Sequence, residues 1–404
     1  MSKLLSDGQI VDRDVPQGVP FFRLAFRPFF LLGALFSMVS LSIWAAVLAG
    51  AIEPALYGGS LWWHAHEMLF GFVAAIFTGF LLTAVQTWTG VPGIRGIALG
   101  ALVSLWFVAR VGMFLGDLAP QGIVILIDLL FLPVVAGVLA RSVIRVRQWR
   151  NFIFVPVLLV MAGANAVMHW AVIADDASLL ALGSKSMVLL VTLLMTVVAG
   201  RVVPMFTANG TGTERVQALP WLEHACLVSM LATVVAGLAS PWLPSTLVAV
   251  VFLAAAVIHG LRVLRWRFLV TLRTPLVWSL HLSYWCIPLG LSLYGLSGLP
   301  GAVVTTSQAI HTLTVGAMGL MILAMISRVS LGHTGRPIVV GPLMALAFLA
   351  VYAAFIVRVF GAYFLEDYTQ MILAAAGFWL LGYGCFVLRY LPVLGRGRAD
   401  GRPG

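Results

Sequence analysis

Twelve runs of about eighteen or more mostly apolar residues, each closed by Gly, Pro or charge, leave this chain few folds to choose from. They fall at residues 29–49, 64–87, 94–115, 122–140, 152–173, 178–200, 219–239, 243–264, 275–296, 303–331, 338–360 and 368–391. About 20 such residues cross a bilayer core as a helix, the conformation that satisfies every backbone group without water. The expected fold is all-α: a polytopic integral membrane helical bundle of about twelve transmembrane helices. Of 404 residues 61% are hydrophobic and only 9% are charged, far from the roughly 25% charged of a soluble domain.

The charge between the runs orients the bundle, because cytoplasmic loops are rich in Lys and Arg. Arg23 and Arg27 precede run 1, Arg95 follows run 2, and Arg141, Arg145, Arg147 and Arg150 follow run 4. Arg201 and Arg215, then Arg262, Arg265, Arg267 and Arg273, then Arg336 follow runs 6, 8 and 10. The alternate loops carry Glu53, Asp117, Asp175 with Asp176, and Glu366 with Asp367. An even number of spans with both termini cytoplasmic is expected. That gives a polar tail at 1–26, a membrane domain at 27–391 and a solvated basic tail at 392–404. The net charge of +10 then serves topology, and the expected surroundings are membrane lipid, with no nucleic acid. The first 20 residues hold three Asp, unlike the basic start of a cleaved signal. Cys226, Cys286 and Cys385 sit inside apolar runs without paired spacing, which predicts neither disulfide nor thiolate zinc.

Chemistry is concentrated at the mouth of run 2, in LWWHAHEMLFGF. Ionisable groups in a span are costly and are functional candidates by default. On a helix His64, Glu67, Met68 and Gly71 share one face, while His66 stands about 200° from His64. With the topology above, His64, His66, His169 and His311 lie at one depth near the outer face, together with Arg110 and Arg358. Imidazoles on different helices clamp a metal or a haem iron, and guanidiniums pair with haem propionates. His311 with one of His64 or His66 is the expected iron-ligating pair. Glu67 is expected to orient an imidazole on the His64 face.

A second layer, His224, His259, His281 and His333 with Arg201 and Arg328, falls towards the cytoplasmic side. His281 and His333 are candidate metal ligands. His224 and His259, near span ends, read as interfacial side chains. His169, four residues after Asn165, reads either as a ligand or as an interhelical hydrogen-bonding residue. Arg201 and Arg328 hold anions inside the bundle or else snorkel to the interface. Gly71, Gly316 and Gly319 serve close helix packing or admit a flat macrocycle.

The phrases FRPFF, WHAHEMLFGF, GFLLTAVQTWTG, GRVVPMFTANG and HTLTVGAMGLMILAMISRVSLGHTGRP closely resemble NnrS proteins, from about Phe22 to Leu391. The resemblance implies a haem- and copper-containing protein of the bacterial inner membrane, with haem of b type. It implies a part in denitrification and in resistance to nitrosative stress. Its ligand would be nitric oxide or a nitric oxide-derived species, and a quinol or other electron donor would serve any oxidoreductase activity. His64, His66, Glu67, His311, Arg201, Arg328 and His333 carry over from the motifs. A looser likeness to haem-copper oxidase and nitric oxide reductase subunits breaks down at spans 6, 7 and 10, where further metal ligands are missing. The rival class is a twelve-span transporter with Arg and His in its path.

Overall fold

The structure, a computed structural model, describes residues 18–401. It contains twelve helices long and apolar enough to cross a membrane: α1 Phe26–Leu48, α2 Gly59–Thr89, α3 Ile97–Leu118, α4 Gln121–Arg145, α5 Trp149–Ile173, α6 Ala177–Thr211, α7 Pro220–Leu238, α8 Ser245–Leu264, α9 Pro275–Ser297, α10 Thr306–His333, α11 Pro342–Tyr363 and α12 Tyr368–Gly395. No strand is present among the described residues. Residues 1–17 and 402–404, which hold most of the expected polar tail and the end of the basic one, lie outside the described residues.

Local chemistry sets the helix ends. Asp176 and Asp367 accept backbone N–H bonds at the starts of α6 and α12, and Thr305 with Gln308 closes a capping box at α10. Pro220, Pro275 and Pro342 open α7, α9 and α11 at positions where the missing N–H costs nothing. Gly90 ends α2 at φ 68°, a left-handed cap that glycine adopts without strain.

Four helices form the centre of the bundle. In α2, α6, α9 and α10, 72–78% of the most apolar stretch is buried, against 28–50% in the other eight. α1 packs on α12, joining the first and last of these helices, and α11 packs on α12. Outward-facing Phe107, Leu126, Val235, Val257, Leu349 and Leu388 leave an apolar surface, as lipid contact requires.

Two central helices widen at the same kind of place. Glu67–Val73 in α2 and Thr312–Gly319 in α10 are π-helical, each beginning within three residues of a histidine. Such turns insert a residue, shift the faces that follow and recur at functional sites. The glycines inside them are filled by packing. A Cβ on Gly71 would lie 2.4 Å from Phe36 Cε1, one on Gly319 2.5 Å from Trp379 Cζ3, and one on Gly316 2.8 Å from Phe355 Cδ2. Close packing is thus the reading that holds for all three.

α6 runs eleven residues past its expected end, so that GRVVPMFTANG is helix rather than loop. The chain after α12 also departs from expectation. Arg27, fully buried, donates to the carbonyls of Leu394 at 2.9 Å and Arg396 at 2.6 Å. Ala399 N–H meets the Thr334 carbonyl at 2.9 Å, and Arg398 donates to the His333 carbonyl at 3.1 Å. The basic segment 396–401 is docked on the α10–α11 loop instead of standing free in solvent.

Candidate functional site

α2 and α10 turn His64 and His311 into one cavity of about 310 Å³. Its walls are apolar, built from residues such as Leu69, Phe72, Val188, Ala376 and Trp379, and Arg358 and Tyr368 also line it. Along α2 the lining extends from Leu61 to Val73, roughly 18 Å at 1.5 Å per residue. His311 Nδ1 lies 2.7 Å from the Ser307 carbonyl oxygen. The carbonyl can only accept, so Nδ1 carries the ring proton and Nε2 keeps its lone pair. His64 stacks on Trp44, with ring centroids 4.6 Å apart and planes 13° apart, and its Nδ1 is buried without a hydrogen-bond partner. Arg358 donates to Ser307 Oγ at 3.2 Å, tying the guanidinium to the same turn that holds His311.

His66 faces the other side of α2. Its Nδ1 lies 2.8 Å from Glu67 Oε1, and its Nε2 lies 2.8 Å from Asn165 Oδ1 and 3.2 Å from Asp128 Oδ2. His169 Nε2 lies 3.1 Å from the same Asp128 oxygen, and Asn165 donates to it at 2.6 Å. Arg110 bridges the two carboxylates, donating to Glu67 at 2.5 Å and to Asp128 Oδ1. Tyr57 Oη stands 3.3 Å from His169 Nδ1, and Trp62 stacks on His66 at 4.4 Å. Burial pushes the Tyr57 phenol up to about 12, so the hydroxyl keeps its proton at neutral pH. The six polar side chains of the node come from α2, α3, α4 and α5 and are 0–3% exposed.

The sequence matches the family model described as NnrS protein over residues 20–398. The chain belongs to the NnrS family. No curated protein matches it. The NnrS match takes in the cavity and the buried node alike, as well as all twelve spans.

Within this NnrS fold the residues expected at one outer depth divide between two sites. His64, His311 and Arg358 line the cavity, whereas His66, His169, Glu67 and Arg110 form the node. Two expectations change as a result. Glu67 orients His66 rather than His64, because the Arg110 guanidinium draws its carboxylate across α2. Arg110 itself is held by two carboxylates through its two terminal nitrogens and does not line the cavity.

The second layer is not assembled into a centre. His281 Nε2 meets Thr207 Oγ1 at 2.8 Å beside Trp266 and Phe268. His333 packs on Phe26 at 5.6 Å, and exposed His224 bonds the Pro220 carbonyl at 2.7 Å. Arg328 lies 3.7 Å over the Phe206 ring, a cation–π contact. Arg201 is exposed and donates to the buried Asn151 Oδ1 at 3.4 Å. His259, expected at the interface, is instead buried against Tyr284 Oη at 2.8 Å, within reach of an Arg262–Glu223 ion pair.

Asp128 is the residue of the node that has no counterpart among the candidates read from the sequence. It is the one acid inside the apolar run 122–140, and an ionisable group at such a place is itself a signal.

Proposed function

We propose that the chain is a haem-binding membrane protein of the nitric oxide response, with the haem seated in the cavity between α2 and α10. One observation carries this: two imidazoles from different helices face one apolar cavity, and one of them has its second nitrogen already committed. Ligation needs a neutral imidazole oriented by its other nitrogen, and the Ser307 carbonyl does that for His311. The unpartnered Nδ1 of His64 is a buried polar atom that a ligand interaction would relieve. Arg358 supplies the fixed cationic fork suited to a propionate, and the apolar walls suit the face of a macrocycle. Haem would bring a redox-active iron able to bind nitric oxide at a vacant or displaceable position.

Copper is the second cofactor that NnrS membership implies, and the imidazole donors present suit it. The loop charge supports a reading with both termini on the cytoplasmic side of a bacterial inner membrane, in which a quinol dissolved in the membrane would serve as electron donor. The deciding experiment is a visible absorption spectrum of the full chain purified in detergent. A Soret band that shifts when nitric oxide is added is the expected result. A purified, folded chain without a Soret band overturns the reading.

A further inference from the structure

We infer that the buried node at His66, Asp128 and His169 is a binding site for a first-row transition metal ion, separate from the cavity on the other side of α2. The inference deepens the metal part of the reading above and rests on it only for the class of ion, not for the haem. Among the described residues, these three make the one group of His, Cys, Asp or Glu side chains whose ligating atoms all fall within 4.8 Å of one another.

The two separations from Asp128 within that group are those of neighbouring ligands in a coordination sphere. Asp128 Oδ2 stands 3.2 Å from His66 Nε2 and 3.1 Å from His169 Nε2. Bonds of about 2.0–2.1 Å to a tetrahedral centre put neighbouring ligand atoms about 3.3 Å apart. The surrounding contacts are equally suited. If both rings ligate through Nε2, each carries its proton at Nδ1, and each Nδ1 has an oxygen in place to receive it. For His66 this is Glu67 Oε1 at 2.8 Å, and for His169 it is Tyr57 Oη at 3.3 Å. Oriented imidazoles of this kind are the usual outer support of a bound metal.

His66 has an acceptor oxygen at both nitrogens: Glu67 Oε1 on one side, Asn165 Oδ1 and Asp128 Oδ2 on the other. The Asn165 amide is fixed in that sense because its nitrogen donates to Asp128 at 2.6 Å. A neutral imidazole has one proton for two sets of acceptors. The charges are short by the same amount, since two buried carboxylates, Glu67 and Asp128, share the single guanidinium of Arg110. Burying an uncompensated charge is costly, and a metal cation held between the His66 and His169 Nε2 atoms would supply the missing charge. Two imidazoles and one carboxylate suit Cu, Zn, Fe or Ni rather than Ca or Mg, whose ligands are oxygen.

The test is metal content. The full chain, purified with its haem, is loaded with Cu(II) or Co(II), dialysed, and assayed for non-haem metal. A stoichiometric ion is expected, with imidazole back-scattering from two histidines at its X-ray absorption edge. Asp128→Asn combined with His169→Gln should lose the ion at least tenfold while keeping the Soret band. His64→Ala should keep the ion even where it loses haem, which separates this inference from the haem assignment. A wild-type chain that binds neither probe overturns the site, as does a double variant that binds as much as wild type. Should the double variant fail to fold, the absorption edge of the wild type decides, and an ion without two imidazoles overturns the proposal.

Discussion

His64 and His66 stand two residues apart on α2, yet they serve different sides of it. His64 lines the α2–α10 cavity, while His66 points into a closed polar node with Glu67, Asn165 and Asp128. About 200° of helix rotation separates them, and nothing in the π-helical turn that follows brings them back together.

This division predicts which histidine controls haem. His311→Ala and His64→Ala should each abolish or sharply reduce the Soret band of the purified chain, whereas His66→Ala should retain it. Loss of haem in His66→Ala with full retention in His64→Ala would reverse the assignment.

Arg358 should matter for retention of an anionic cofactor rather than for folding. Its guanidinium lines the cavity and is tied to Ser307. A charge-assisted hydrogen bond contributes about 1.5–3 kcal/mol, so Arg358→Ala should weaken haem binding roughly 10- to 150-fold. Arg358→Lys should recover part of this, because the charge remains but the planar fork is lost. Haem titration into apoprotein measures both.

Arg110 and Arg201 should respond in opposite ways. Removing Arg110 leaves Glu67 and Asp128 buried without their shared cation, at a cost of about 3–5 kcal/mol. Arg110→Met should therefore unfold at markedly lower temperature in detergent. Arg201 is exposed, and Arg201→Lys should change stability by no more than about 0.5 kcal/mol with cofactor content unaltered.

The packing of the π-helical turns is open to a test with single methyl groups. Gly71→Ala would press on Phe36 and Gly319→Ala on Trp379, and overpacking of this kind costs about 1–3 kcal/mol. Gly100→Ala and Gly377→Ala, where nothing lies within 4 Å of the added carbon, should be neutral or slightly stabilising. Thermal unfolding of the four variants makes the comparison.

Topology follows from loop charge. Reporter fusions at Asp117, Asp175 and Glu366 should report the outside, and those at Arg147 and Arg265 the cytoplasm. A single fusion on the opposite side would undo the orientation.

The twelve helices were legible from the sequence because a bilayer imposes a length and an apolar composition on every span, both local properties of the chain. Counting residues from the span ends, at a fixed rise per residue, marked His64, His66, His169, His311, Arg110 and Arg358 as candidates for meeting one another, and they meet in two groups. What the linear chain does not carry is rotation between helices. Only the packed bundle decided that His64 meets His311 across a cavity and that His66 meets His169 through Asp128. The same packing turned Arg201 outward, drew Glu67 to Arg110 and folded the basic end of the chain back onto Thr334. These outcomes depend on which charge finds a partner out of water, and a guanidinium on α3 and a carboxylate on α4 choose each other only once the helices stand side by side.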